Sequence, residues 1–233
     1  MNLGAFGELA RTRRATRSFR PDPVPEETLR ELLECARWAP SGYNLQPTHF
    51  IVMNDPARKE ALYRACLGQK QIREAPVTVL FAGDRDVASN HFEDILKLDR
   101  EGQAIDAAYE TLLRKVVPLA FGRGPLGLLA LAKRLYVTIA HPFTPLPDVP
   151  AINMDRWLTR QAMLAAMSFM LAAHAAGLAT VPMEGFDPWR VREVAGLPRR
   201  MLVTLVVPVG YAAPGTRSKT RLPLERLVHR NGW

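Results

Sequence analysis

The sequence predicts a sheet protein of the α+β or α/β class, and three observations carry that expectation. Short apolar runs at 50–53, 77–81 and 201–207 have the length and β-branched character of buried strands. Between them lie segments whose apolar residues recur at helical spacing, the alternation that builds helices onto a sheet. The chain has 233 residues, of which 48% are hydrophobic and 23% charged, enough to close one substantial core and far from the composition of disordered chains. One domain over residues 1–233 is expected.

The first clear helix opens at Pro25, Glu26 and Glu27, with a proline early and acids near the positive end of the dipole. Its apolar stripe is Leu29, Leu32, Leu33 and Ala36, and Pro40 stops it. After a polar loop at 41–47 comes the strand at 50–53, then a helix started by Asp55 and Pro56 that should run to about Leu67. Pro76 and Gly83 bound the second strand. Residues 86–150 read as a less regular helical region, broken by several prolines and glycines.

Residues 153–177 read as a long helix with Asn153 as its cap and Gly177 as its stop. No charge falls between Gln161 and Ala176, and apolar residues occur on every side. This marks a helix buried all round; the stretch is too short, and too polar at Gln161, Ser168 and His174, for a membrane span. One chain of this size has little core in which to hide such a helix, so a subunit interface, and hence a homodimer, is expected. A strand at 178–183, a helix capped by Asp187 and Pro188 and closed by Gly196, and the strand at 201–207 follow.

Two cysteines, Cys35 and Cys66, argue against a disulfide framework and read as packing residues in a reducing compartment. The N-terminus has no secretion pattern, so a cytoplasmic location is expected. The net charge of +8 is concentrated at the ends. Residues 1–20 have five arginines against Glu8, and residues 217–233 have Arg217, Lys219, Arg221, Arg226 and Arg230 against Glu225; each end is therefore +4 and the 196 residues between sum to zero. Two short basic clusters on a neutral body suit a phosphate held between the termini better than a broad nucleic-acid face, which would also call for interleaved aromatics.

Four segments have residue types suited to ligand binding. Arg13, Arg14 and Arg17 crowd three guanidinium groups that an anion would collect. Pro40, Ser41, Gly42 and Asn44 form a turn that permits close backbone approach. Pro182, Met183, Glu184 and Gly185 end a strand where backbone N–H groups could face a ligand. Lys219 and Arg221 alternate and would point the same way in an extended tail.

In this order and spacing the four segments resemble the nitroreductase family of flavoproteins, most closely over residues 10–82 and 153–223. The resemblance implies an α+β three-layer sandwich, with a central, mostly antiparallel sheet flanked by helices, in an intertwined homodimer with two FMN sites built from both subunits. By similarity Arg13, Arg14 and Arg17, with Ala15 in the same turn, would bind the FMN phosphate and pyrimidine edge, and Lys219 and Arg221 would complete the phosphate site. Pro40, Ser41, Gly42 and Asn44 look like the loop supplied by the partner. Pro182, Met183, Glu184 and Gly185 resemble the segment beside the isoalloxazine, where a backbone N–H at Glu184 or Gly185 would meet flavin N5. Where family members often have an asparagine and a further polar residue, this chain has Gly68 and Gln71, and Gln71 is carried over.

The implied activity is ping-pong transfer from NAD(P)H to a small electron-poor acceptor such as a nitroaromatic or quinone. A flavin-dependent dehydrogenase or dehalogenase on the same framework is the alternative, and a basic nucleic-acid-binding protein is the alternative from another class. Two roles are open for 116–150: an acceptor-selecting cover over the flavin that includes Phe121, Tyr136 and Phe143, or an extension of the dimer core. Leu126 to Ile139 mixes Lys133 and Arg134 with apolar residues, so peripheral membrane association is a further reading, without stable insertion.

Overall fold

The computed structural model describes residues 2–215 and 219–233. A first helix, α1 (Leu3–Thr12), is capped by Asn2, whose side chain accepts from the N–H of Ala5. Helix α2 (Glu26–Arg37) buries Leu29, Leu32 and Ala36, as the stripe predicts, with Leu33 half-buried beside them. Strand β1 (Thr48–Met53) leads to α3 (Pro56–Ala65), where Asp55 caps by accepting from the N–H of Arg58 at 2.9 Å. This helix stops two residues short of the expected Leu67, because Leu67 and Gly68 both turn left-handed (φ 56° and 70°). A single helical turn, α4 (Gln71–Glu74), precedes β2 (Val77–Asp84).

Residues 86–150 form α5 (Val87–Asn90), α6 (Phe92–Glu101), α7 (Ala107–Phe121) and α8 (Leu128–Ala140). The long helix, α9 (Met154–Ala175), is followed by Gly177 at φ 74°. Asn153 does not cap it through its side chain, which donates instead to Asp148 at 3.2 Å; its carbonyl opens the helix by accepting from Trp157. Strand β3 (Ala179–Thr180) is shorter than the expected 178–183, since the chain leaves the sheet after Val181, whose N–H donates to Pro208, and rejoins it at Met183, opposite Val206. Helix α10 (Pro188–Val194) is capped by Asp187, which accepts from Trp189 and Arg190, and β4 (Met201–Gly210) completes the sheet.

The strand order is β1-β2-β4-β3, every pair antiparallel. Alternate side chains of β2 and β4 face opposite layers. Val77, Val79, Phe81, Leu205, Val207 and Val209 pack against α2 and α9, while Leu80 and Val206 pack with Leu62, Ile72 and Val191 from α3, α4 and α10. This is the α+β three-layer sandwich. A bulge after Phe81 leaves Thr204 outside the ladder, and its hydroxyl donates to the carbonyl of Phe81 at 2.9 Å.

Helix α9 is not enclosed all round within one chain. Leu158, Ala162, Ala166 and Phe169 are buried, but Leu164 and Met167 on another face are 46% and 42% exposed. Cys66 is a packing residue whose thiol burial pushes up to about 12. Cys35, expected to pack likewise, is exposed on the outer side of α2.

Candidate functional site

The sheet edge at β3 brings the two ends of the chain together. Thr16 donates its N–H to the carbonyl of Thr180 (2.9 Å), Arg20 donates to Tyr211 (2.9 Å) and Ala213 donates to Ser18 (3.0 Å), so residues 15–20 lie between β3 and the segment that follows β4. These bonds fix the register from which the arginines project. Arg13, Arg14, Arg17, Lys70, Lys219 and Arg221 then line one open cavity of about 600 Å³, with Ala15 and residues 212–215 among those completing it. No carboxylate lines this cavity among the described residues. Arg217 and Ser218, from the same C-terminal basic run, lie outside the described residues.

Electrostatically the cavity is over-supplied with cations. Burial first, and then the charge of Arg221, push the Arg13 guanidinium below its ordinary range, and its Nη1 is buried without a hydrogen-bond partner among the described residues. Such an orphaned donor costs about 1–3 kcal/mol, more for a charged group, until something accepts from it. Lys219 is lowered by burial and by Arg221, Arg13 and Arg14. Its ammonium does not point into open space: it donates to the carbonyls of Ala10 (3.3 Å), Arg11 (3.0 Å) and Arg13 (2.7 Å). Those three bonds use all its donors and cap the C-terminal end of α1. His174, at the end of α9, meets the Thr12 hydroxyl at 2.8 Å; burial, Arg13 and Lys219 lower its pKa.

Beside the cavity's sheet edge runs the segment 182–185. Pro182, Glu184 and Gly185 are outside the ladder, and the backbone N–H groups of Glu184 and Gly185 donate to nothing among the described residues. Gln69 holds this segment: its Nε2 donates to the carbonyls of Gly185 (2.6 Å) and Cys66 (3.2 Å). Gln71, the residue singled out by resemblance, makes no side-chain hydrogen bond among the described residues. Lys70 was not expected at all; it lines the cavity and reaches Ser18 Oγ at 2.9 Å and Glu74 at 3.1 Å. A basic residue flanked by Gln69 and Gln71 was the available signal.

The loop with Pro40, Ser41, Gly42 and Asn44 does not line the cavity of its own chain. Tyr43, Asn44 and Gln46 all have positive φ (57°, 52° and 50°), a strained backbone that surrounding bonds must hold. Gly42 donates its N–H to Gln161 Oε1 (2.9 Å), Ser41 Oγ accepts from the N–H of Gln46 (2.9 Å), Asn44 donates to Asp99 (3.0 Å) and His91 Nδ1 contacts the Leu45 carbonyl (3.1 Å). Gln161 thus has a fixed task in the charge-free stretch of α9, one that no local pattern signals. In the helical region, Phe121 is buried against Trp157 and cannot form part of an outer cover, whereas Tyr136 and Phe143 are exposed.

A sequence model described as the nitroreductase family matches residues 10–211. The chain belongs to the nitroreductase family. Among relatives, an NADH dehydrogenase of Thermus thermophilus is 35% identical over 93% of this chain and 91% of its own length. An oxygen-insensitive NAD(P)H nitroreductase of Enterobacter cloacae is 26% identical, covering 94% of this chain and 96% of that protein. A protein assigned as a nitroreductase from Exiguobacterium sibiricum, solved in complex with FMN, superposes with a TM-score of 0.73 at 23% identity, covering 96% of each chain.

Proposed function

We propose that this nitroreductase-family oxidoreductase binds FMN with its phosphate in the terminal cavity, and that NAD(P)H and a small electron-poor acceptor, such as a nitroaromatic or quinone, are its substrates. The observation that carries the reading is the cluster of six cations around one cavity, five of them from the two chain ends and Lys70 from between, with Arg13 Nη1 buried and without a partner among the described residues. A phosphate dianion answers both features: it supplies the missing acceptor and, by its charge, offsets the burial and the cationic repulsion that lower Arg13 and Lys219. The two relatives, an NADH dehydrogenase and an NAD(P)H nitroreductase, support the choice of electron donor.

Bound FMN would supply a two-electron carrier that takes hydride from NAD(P)H and hands reducing equivalents to the acceptor, which is why a ping-pong order suits one shared pocket. The chain's own residues bind and orient. Arg13 and Arg221 present guanidinium forks to the phosphate, with Arg14 and Arg17 beside them in the same turn as Ala15. Lys219 adds charge while its three carbonyl bonds keep Arg13 in place. The free N–H groups of Glu184 and Gly185, steadied by Gln69, are donors for the flavin edge, next to Pro182 and Met183. Gln71 stays in this reading as a residue near the ring.

The site is completed by a second copy of the chain. The strained loop of Pro40, Ser41, Gly42 and Asn44 does not line its own cavity, which suits donation to a partner. The exposed apolar face of α9 at Leu164 and Met167 suits burial against the same partner. Both cysteines are free, which accords with a reducing cytoplasm.

The test is the absorption spectrum of the purified protein followed by anaerobic addition of NADH or NADPH. Flavin bands that bleach on addition are expected. A sample that stays colourless after FMN is added and excess removed contradicts the reading.

A further inference from the structure

We infer that Gln69 is a positioning residue for the flavin, fixing the backbone from which Glu184 and Gly185 present their N–H groups to N5 of the ring. The inference rests on the proposed FMN site and adds the side chain that holds one of its contacts in line.

Along residues 182–187 only two N–H groups are unspent among the described residues. Pro182 has none, while Met183 donates to Val206 (2.9 Å), Phe186 to Glu184 (3.0 Å) and Asp187 to Ala65 (2.9 Å). The N–H groups of Glu184 and Gly185 are left, side by side next to the cavity's sheet edge.

The backbone bonds secure the ends of this segment but not its middle. Met183 is tied to β4 and Asp187 to Ala65, the last residue of α3, whereas the bond from Phe186 is internal. The Gly185 carbonyl accepts from one donor among the described residues, Gln69 Nε2 at 2.6 Å. Without that bond the backbone at Gly185, which has no Cβ to restrict it, is free to turn, and the N–H groups beside it lose their direction.

Gln69 is itself held. Leu67 and Gly68, both left-handed, follow the end of α3 and bring residue 69 back toward it. Its backbone N–H and its Nε2 each reach the Cys66 carbonyl at 3.2 Å, and its own carbonyl accepts from Ile72 (3.2 Å) as α4 begins. Both partners of the side-chain amide are carbonyls, so it faces them with its nitrogen and acts as a donor. These contacts all lie within one chain and do not depend on a second copy.

The test compares FMN with 5-deaza-FMN, in which a C–H replaces N5 and removes the acceptor, in equilibrium titrations of the full chain. The parent is expected to bind FMN about tenfold more tightly than the deaza analogue. In Gln69→Leu that preference should fall to about twofold or less, and likewise in Gln69→Glu, whose carboxylate has the same reach but cannot donate at neutral pH. A residue that merely packs the turn would weaken both flavins alike. An unchanged ratio in a variant that still binds FMN therefore overturns the inference, as does equal affinity of the parent for the two flavins. A parent that binds neither flavin overturns it together with the FMN site.

Discussion

The terminal cavity and the α7–α8 hairpin are both incomplete within one chain, but in different physical terms. The cavity has a surplus of charge and hydrogen-bond donors: six cations line it, and one buried guanidinium nitrogen has no acceptor among the described residues. The hairpin has a surplus of apolar surface: a whole helix without a buried residue. A polar deficit is directional and short-ranged, so its geometry specifies a ligand almost atom by atom. An apolar deficit is non-directional, and only the charges around it distinguish one covering surface from another.

Substitutions should separate the two regions, beginning where the effect is largest. Arg13→Ala removes the buried fork and should weaken FMN binding about 100-fold, from two charge-assisted bonds of roughly 1.5–3 kcal/mol each, as read by flavin fluorescence titration. Unchanged affinity would place the phosphate elsewhere. Lys219→Met should cost less, about tenfold, because its donors are already spent on carbonyls, each such bond being worth roughly 1.5 kcal/mol or more. It should differ in kind as well, by speeding amide exchange at residues 13–18, which Arg13→Ala leaves slow.

A smaller effect concerns pH. The pKa of His174 is lowered in the folded chain by burial, Arg13 and Lys219, so the unfolded chain takes up a proton first as the solution is acidified. The stability that His174 contributes is complete above the ordinary histidine range near 6.5 and is lost as pH falls through its lower folded value. Denaturant midpoints of the flavin-free chain should therefore fall on acidification, less steeply in His174→Gln and less steeply with inorganic phosphate present, which offsets Arg13 and Lys219. Identical slopes in parent and variant would remove His174 from the cavity's electrostatics. The smallest effect belongs to the hairpin: Leu135→Ser should change the denaturant midpoint by no more than about 0.5 kcal/mol equivalent, since the side chain buries nothing on folding. A large loss there would show that α8 is part of a core formed between chains.

Local chemistry was legible in the sequence wherever the determining contact is local. Asp55 and Asp187 cap the helices they precede, the stripe of α2 is buried, and the three apolar runs are the three long strands, because each depends on neighbours within a few residues. The convergence of the chain ends was legible too, through the balance of charge rather than through any one motif. Other features depend on partners far along the chain. Gln161 pins Gly42 across 119 residues, Gln69 holds Gly185 across 116, and Lys219 caps a helix more than 200 residues before it. Cys35 lies on the solvent side of an amphipathic helix, where residue type misleads and only helical phase decides. Asn153 stands at the N-cap position the sequence predicts, but its side chain does not cap, because a nearby carboxylate, Asp148, takes its amide.

The most direct test compares FMN with riboflavin, which has the same ring and no phosphate, in equilibrium titrations of the parent chain and of Arg13→Ala. If the two ends of the chain grip a phosphate, FMN binds the parent at least about 100-fold more tightly than riboflavin, and most of that ratio disappears in the variant. Equal affinity of the parent for the two flavins would contradict it.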